Sequence, residues 1–161
     1  MPELFIPQAE CRYTQRTALD VAAGGEVFFV ETLAPGRLAR GEVFAFTEIA
    51  WECALRHGGH LIARERFTLD PTDESTATLR VPFETGYYAS FYVISDRVPP
   101  EHPVWRAIHD RSSDTALVGA SRLVVGGSTV KILAADSIAL TRTLRAIRTL
   151  RGHPPAVARK L

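Results

Sequence analysis

The sequence predicts a mainly β, predominantly antiparallel fold interrupted by two helices. Three observations carry this: short runs of β-forming residues recur along the chain, glycine- or proline-containing turns separate them, and helical spacing of apolar residues is confined to two late segments. The run from Arg12 to Val21 alternates, with Tyr13, Gln15, Thr17, Leu19 and Val21 on one face and Arg12, Thr14, Arg16 and Asp20 on the other, as in a half-buried strand. After the turn residues Ala22-Ala23-Gly24-Gly25, Val27-Phe28-Phe29-Val30 is apolar on both faces, which predicts a central strand. Ala34-Pro35-Gly36 fits a type II turn, with proline fixing φ and glycine supplying a positive φ. Phe44, Phe46 and Ile49 follow in a run short enough to suit a strand or a helical turn.

His57-Gly58-Gly59-His60 separates Trp51–Arg56 from Leu61–Leu69, and two glycines between β-like runs predict a tight hairpin with the histidines opposite each other. Leu79–Phe83 and Tyr87–Ser95 read as two further strands. The first helix, at about 100–111, has prolines in its lead-in and Val104, Trp105 and Ile108 at helical spacing. The second, at about 137–151, takes Asp136 as N-cap, buries Leu140, Leu144 and Ile147, turns Arg142 and Arg145 outward, and stops at Gly152 before Pro154-Pro155. The expected organisation is a single β-rich domain over 1–152 with a basic tail over 153–161.

Composition narrows the function classes. At 161 residues, 46% apolar and 23% charged, the chain is expected to form one globular domain. A net charge of +1 removes the strongly basic balance of a protein held to DNA by phosphate contacts. No apolar stretch suits a membrane span, and the start Met1-Pro2-Glu3-Leu4 lacks the basic n-region of a signal peptide. With two cysteines, Cys11 and Cys53, too few for a disulfide framework, the expected compartment is the cytoplasm. Charge is uneven: from Ser137 onward there are six basic residues and no acid, which leaves residues 1–136 at −5. Such a tail either complements a helix dipole or faces an acidic partner.

Few residues announce chemistry. Gly119-Ala120-Ser121-Arg122 lacks the second glycine of a nucleophile elbow, and neither Gly24-Gly25 nor Gly126-Gly127 continues into a phosphate-binding loop. In a two-residue hairpin His57 faces His60 and Cys53 shares their face, a set suited to nickel, copper or zinc. The same register places Arg64 opposite Cys53, which opposes a cation there, and the competing reading is an ordinary solvated turn. His102 and His109 share a helical face but have Arg106 between them. Glu31 and Glu42 are carboxylates near the aromatic strands with no assignable pairing. The run 87–95 carries four aromatic residues without a lysine or arginine, a core pattern rather than a nucleic-acid platform.

Several blocks, in order, resemble a known family. Tyr13 with Gln15-Arg16-Thr17, then Pro35-Gly36-Arg37-Leu38-Ala39-Arg40-Gly41-Glu42 followed by Phe44 and Phe46, is similar in order and separation to the pattern of the urease accessory protein UreD (UreH) family. Gly119-Ala120-Ser121-Arg122-Leu123, and Val130-Lys131-Ile132-Leu133-Ala134 leading into Asp136-Ser137, resemble that family's C-terminal strand and final helix. Lys131 stands where the family commonly has arginine, which keeps the charge and loses the planar fork. Members are usually longer, with an N-terminal half ahead of the Gln-Arg-Thr block, so the resemblance is to the C-terminal half.

The resemblance implies a non-enzymatic scaffold of elongated, stacked, solenoid-like sheets. It implies binding to a UreF-type accessory protein, through it to a UreG-type GTPase, and to apo-urease, with nickel as transient cargo and no tightly bound cofactor. The matched residues Gln15, Arg16, Thr17, Pro35, Gly36, Arg37, Arg40, Gly41, Glu42, Phe44 and Phe46 are the candidate interface set. Arg37, Arg40 and Glu42 form a charged cluster that serves either an internal network or a partner. Unpaired apolar edges at Val27–Val30 or Phe44–Phe46 would favour a homodimer. Nucleic acid and membrane are not expected partners. The alternative is a small β domain binding a small molecule or metal through the aromatic strand and the histidine hairpin.

Overall fold

A computed structural model describes residues 3–95, 97–123 and 127–150. Seven strands form two stacked sheets. The first joins β1 (Arg12–Val21), β3 (Glu48–His57) and β4 (His60–Leu69) in the order β1-β3-β4, with β1 parallel to β3 and β4 antiparallel to it. The second joins β2 (Val27–Leu33), β5 (Tyr87–Ile94), β6 (Ala116–Arg122) and β7 (Gly127–Ala134) in the order β2-β5-β7-β6, all antiparallel. Helices α2 (Val104–His109) and α3 (Ser137–Leu150) cover the outer face of the four-stranded sheet. The mainly β class is as expected.

Three layers make two core planes. Side chains at 87, 89, 91 and 93 of β5 meet Trp105, Ile108, Leu140 and Ile147 of the helices, while those at 88, 90, 92 and 94 face the three-stranded sheet. Each large side chain fully buried there contributes about 1.5–3 kcal/mol. At α3 Asp136 Oδ1 accepts the Ala139 N–H at 2.6 Å, Leu140 and Ile147 are buried and Leu144 only partly so, and Arg142 and Arg145 are exposed. Such a cap is worth about 1 kcal/mol. The predicted stop at Gly152 and the tail 153–161 lie outside the described residues. Among those described, no helix is long and apolar enough to cross a membrane.

Several expectations are corrected. Val27–Val30 belongs to β2, which borders its sheet rather than lying in the middle. Its two apolar faces arise from the layers, since Phe28 and Val30 pack on the helix side while Val27 and Phe29 pack toward the other sheet. Leu79–Phe83 is not a strand. Leu79 ends a third, short helix, α1 (Glu74–Leu79), started by a turn in which Asp70 Oδ1 accepts the Thr72 N–H at 2.8 Å, and Pro82 has no N–H for a ladder. Helix α2 begins at Val104, because Pro99, Pro100 and Pro103 supply no donors to an earlier turn, so His102 precedes the helix and shares no helical face with His109. Phe44 and Phe46 are buried in a loop before β3 and so form no strand edge, whereas Val27–Val30 pairs with β5 on one side and, as part of the border strand, has no strand on its other side among the described residues.

The hairpin is confirmed with one change. Gly58 and Gly59 take φ of 56° and 81°, the double positive φ of a type I′ turn, and His57 pairs with His60. A bulge then shifts the register by one, so that Leu55 faces Ala63, Ala54 faces Arg64 and Cys53 faces Glu65. Arg64 is therefore not opposite Cys53.

Candidate functional site

The alternation of β1 sends Gln15 and Thr17 inward, and the parallel register sets them opposite Trp51 and Cys53 of β3. Across the interface Glu31 projects from β2, only 6% exposed. Its Oε1 accepts from Gln15 Nε2 at 2.6 Å and from Thr17 Oγ1 at 2.7 Å, and its Oε2 accepts from the Trp51 indole at 2.9 Å. No cation lies within ion-pair distance of it among the described residues. Three neutral donors from one sheet thus seat a carboxylate from the other, satisfying a group that would be costly to bury bare.

A second carboxylate crosses in the opposite direction. Glu65 of β4 accepts from the Tyr88 hydroxyl at 2.7 Å, from Ser90 Oγ at 3.0 Å, from the Tyr92 hydroxyl and from the Lys131 ammonium. Lys131 also donates to Ser90 Oγ at 2.6 Å and lies 5.1 Å from the Tyr92 ring centre. Solvent reaches this end, with 23% of the Glu65 side chain and 37% of the Lys131 side chain exposed.

The two seats form one polar row. Glu31, Ser90, Lys131 and Gly119 are successive register partners across the four-stranded sheet, and Thr17, Cys53 and Glu65 are successive partners across the three-stranded sheet. On one side of the row lies an apolar cluster with Leu33, Phe44, Phe46, Ile49 and Trp51, and on the other a cluster with Leu55, Ile62, Tyr92 and Ile94.

The electrostatics follow from this seating. Burial opposes ionisation of Glu65, but the hydrogen bonds from Lys131, Tyr92 and Tyr88 outweigh it and hold the carboxyl below its ordinary range. Burial, then the negative charge of Glu31, pushes the Cys53 thiol up to about 12. Tyr88 and Tyr92 are raised by burial and by Glu65. In the metal-free protein Cys53 therefore stays a thiol at neutral pH, a poor nucleophile.

The other predicted residues divide. Arg37 and Glu42 meet in a bidentate pair at 2.6 and 2.7 Å, and Glu42 also accepts the Ala9 N–H at 3.0 Å. The hydrogen-bonded Arg37 guanidinium holds Glu42 below the usual carboxylate range. These bonds close a loop whose 3₁₀ turn, Leu38–Arg40, ends at Gly41 with φ of 74°. Pro35 and Gly36 are buried beneath it, and Gly36 has φ of 146°, wide of the roughly 80° of a type II turn. Its glycine is required because a Cβ would lie 2.3 Å from the Glu42 carbonyl oxygen. The Phe44 N–H returns to the Pro35 carbonyl at 2.8 Å, and Phe44 packs on Phe46. Arg40 is left exposed, outside the Arg37–Glu42 pair. Arg16 points to the outer face, beside the Arg64–Glu52 ion pair. His57 is half-buried and its Nε2 has no hydrogen-bond partner among the described residues, whereas His60 is exposed. Among the described residues no group of three or more His, Cys, Asp or Glu is placed to hold a metal ion.

With this geometry in place, the chain can be set beside known proteins. The sequence profile described as UreD urease accessory protein matches residues 1–160. This chain belongs to the UreD family. It is 34% identical to the urease accessory protein UreD of Opitutus terrae over 93% of its length, 30% to that of Herpetosiphon aurantiacus over 99%, and 32% to UreD 2 of Streptomyces griseus over 99%. The alignments cover 55%, 60% and 58% of those relatives, so the UreD-family chain spans little more than half their length. Within it the Gln-Arg-Thr block supplies two donors to Glu31, and the Pro-Gly-Arg block builds the loop closed by Arg37 and Glu42. Sequence reasoning missed the Glu65 seat, whose donors sit on two strands far along the chain from β4 and form no linear motif.

Proposed function

We propose that this chain acts as a urease accessory protein, a non-enzymatic scaffold that binds a UreF-type partner, through it a UreG-type GTPase, and apo-urease, to assist delivery of nickel as cargo. The observation that carries the reading is the family match over 1–160, with relatives at 30–34% identity named as urease accessory proteins. The site chemistry is in keeping with it, because the inter-sheet carboxylates are saturated with donors and the buried thiol is held protonated. Arg40 and Leu38, exposed on the loop braced by Arg37 and Glu42, and Arg16, exposed on the outer face of β1, are matched-block side chains open to a partner. The rival reading is a small β domain that binds a small molecule or a metal ion, and its metal arm draws no support from a hairpin in which His60 is exposed while Cys53 is buried.

The test is co-expression with the UreF-type protein of the same organism, followed by size-exclusion chromatography with light scattering. A stable co-eluting complex that Arg40→Ala weakens without lowering the melting temperature is the expected result. A well-folded chain that elutes alone at every concentration would overturn the scaffold reading.

A further inference from the structure

Where α2 packs beside β6, an open cleft of about 470 Å³ is lined by cations and donors that the inter-sheet seam does not use. Arg106 enters it from α2 and Arg122 from the end of β6, and neither makes an ion pair or side-chain hydrogen bond among the described residues. Two imidazoles stand in the lining, each with Nδ1 within hydrogen-bond distance of a backbone N–H. His102 Nδ1 accepts the Val104 N–H at 3.1 Å and His109 Nδ1 accepts the Ala120 N–H at 3.5 Å. A neutral ring with Nδ1 engaged as acceptor carries its proton on Nε2, which is then a donor. Ser128 lines the same cleft, only 2% exposed, and its hydroxyl has no hydrogen-bond partner among the described residues. Glu101 is the single acid in the lining among the described residues.

We propose that this cleft binds a phosphate group, free or carried on a small molecule. Arg106 and Arg122 pair with its oxygens while His102, His109 and Ser128 supply neutral donors. Two guanidinium forks suit a dianion, and donors converging from α2, its lead-in, β6 and β7 outnumber what the two oxygens of a carboxylate can accept. The volume falls within the usual range for small-molecule sites, about 300–1,000 Å³, which leaves room for an ester substituent. Because the donors come from separate segments, the absence of a glycine-rich phosphate loop from the sequence does not bear on them. The site is independent of the accessory role proposed above.

The experiment titrates the isotope-labelled full chain with sodium phosphate, and separately with adenosine monophosphate, at constant ionic strength while the amide resonances of Ala120 and Ser128 are followed. Saturable shifts at both are expected, with affinity reduced about tenfold, or 1.4 kcal/mol, in Arg106→Gln and in Arg122→Gln. Arg66→Gln, an exposed cation on the outer face of the other sheet, should bind as the parent does. Tighter binding of the nucleotide identifies an esterified phosphate, and equal affinity identifies free phosphate. Shifts that fail to saturate, or an equal loss in Arg66→Gln, mean diffuse attraction to a basic surface and overturn the proposal. Arg106 and Arg122 are both exposed, so their variants should keep the parent melting temperature, and Ser128→Ala gives a further check that leaves the charge unchanged.

Discussion

Glu31 and Glu65 solve the same problem by different means. Each carries a carboxylate from one sheet into the territory of the other, yet Glu31 is held by neutral donors on β1 and β3, whereas Glu65 is held by a lysine and three hydroxyls on β5 and β7. The first seat is nearly closed to water and the second is partly open. The comparison teaches that a neutral seat depends on every donor, since no single charge dominates it, while a lysine-centred seat concentrates its strength in one partner.

Substitutions rank the two. Glu31→Ala strips the acceptor from three donors at once and should cost about 3–5 kcal/mol, measured by urea unfolding. Lys131→Met should cost less, about 1–3 kcal/mol, because solvent reaches Glu65 and its hydroxyl donors remain. Pairing Lys131→Met with Glu65→Gln should recover part of that loss, since removing both charges is gentler than stranding one. Failure of the double variant to recover any stability would show that the tyrosine hydroxyls, not the lysine, hold the second seat.

Acid sharpens the contrast. The Glu65 carboxyl is depressed in the folded state, so its contribution is complete above the ordinary unfolded value of about 4.3 and is lost as pH falls through the lower folded value. The stability difference between the parent and Glu65→Gln should hold steady from about pH 7 to pH 5 and shrink below about 4.3, in urea melts across that range. The smallest effect belongs to Thr17→Val, which removes one of three donors from Glu31 and should cost about 1 kcal/mol.

The two seats also differ in how legible they were. Gln15 and Thr17 could be placed on the inward face of their strand by period-two alternation alone, and the bracing pair Arg37 and Glu42 could be grouped by proximity in sequence. Glu65 could not be placed by counting from the hairpin, because His60, Ile62 and Arg64 share a phase that turns Glu65 outward. Counting back from Leu69 and Phe67 gives the opposite phase and turns Glu65 inward. The two phases meet at the bulge, and their conflict within one strand was the available sign of it. Val27–Val30 misled for a related reason, since apolarity on both faces reports the layers above and below a strand and not its hydrogen-bonded neighbours. The strand expected at Leu79–Phe83 overlooked Pro82, whose missing N–H removes a ladder bond.

The polar row bears on how the two sheets find each other. The apolar clusters on either side of it are built from aliphatic and aromatic groups that could bury nearly as much surface with the sheets displaced along a strand. A displacement of two residues, roughly 7 Å, keeps every inward side chain inward and yet carries Glu31 away from Gln15, Thr17 and Trp51, and Glu65 away from Lys131. Two stranded carboxylates would then oppose an otherwise acceptable contact by several kcal/mol. The row works like the teeth of a key: greasy surfaces draw the halves of the sandwich together, and the carboxylates admit a single alignment.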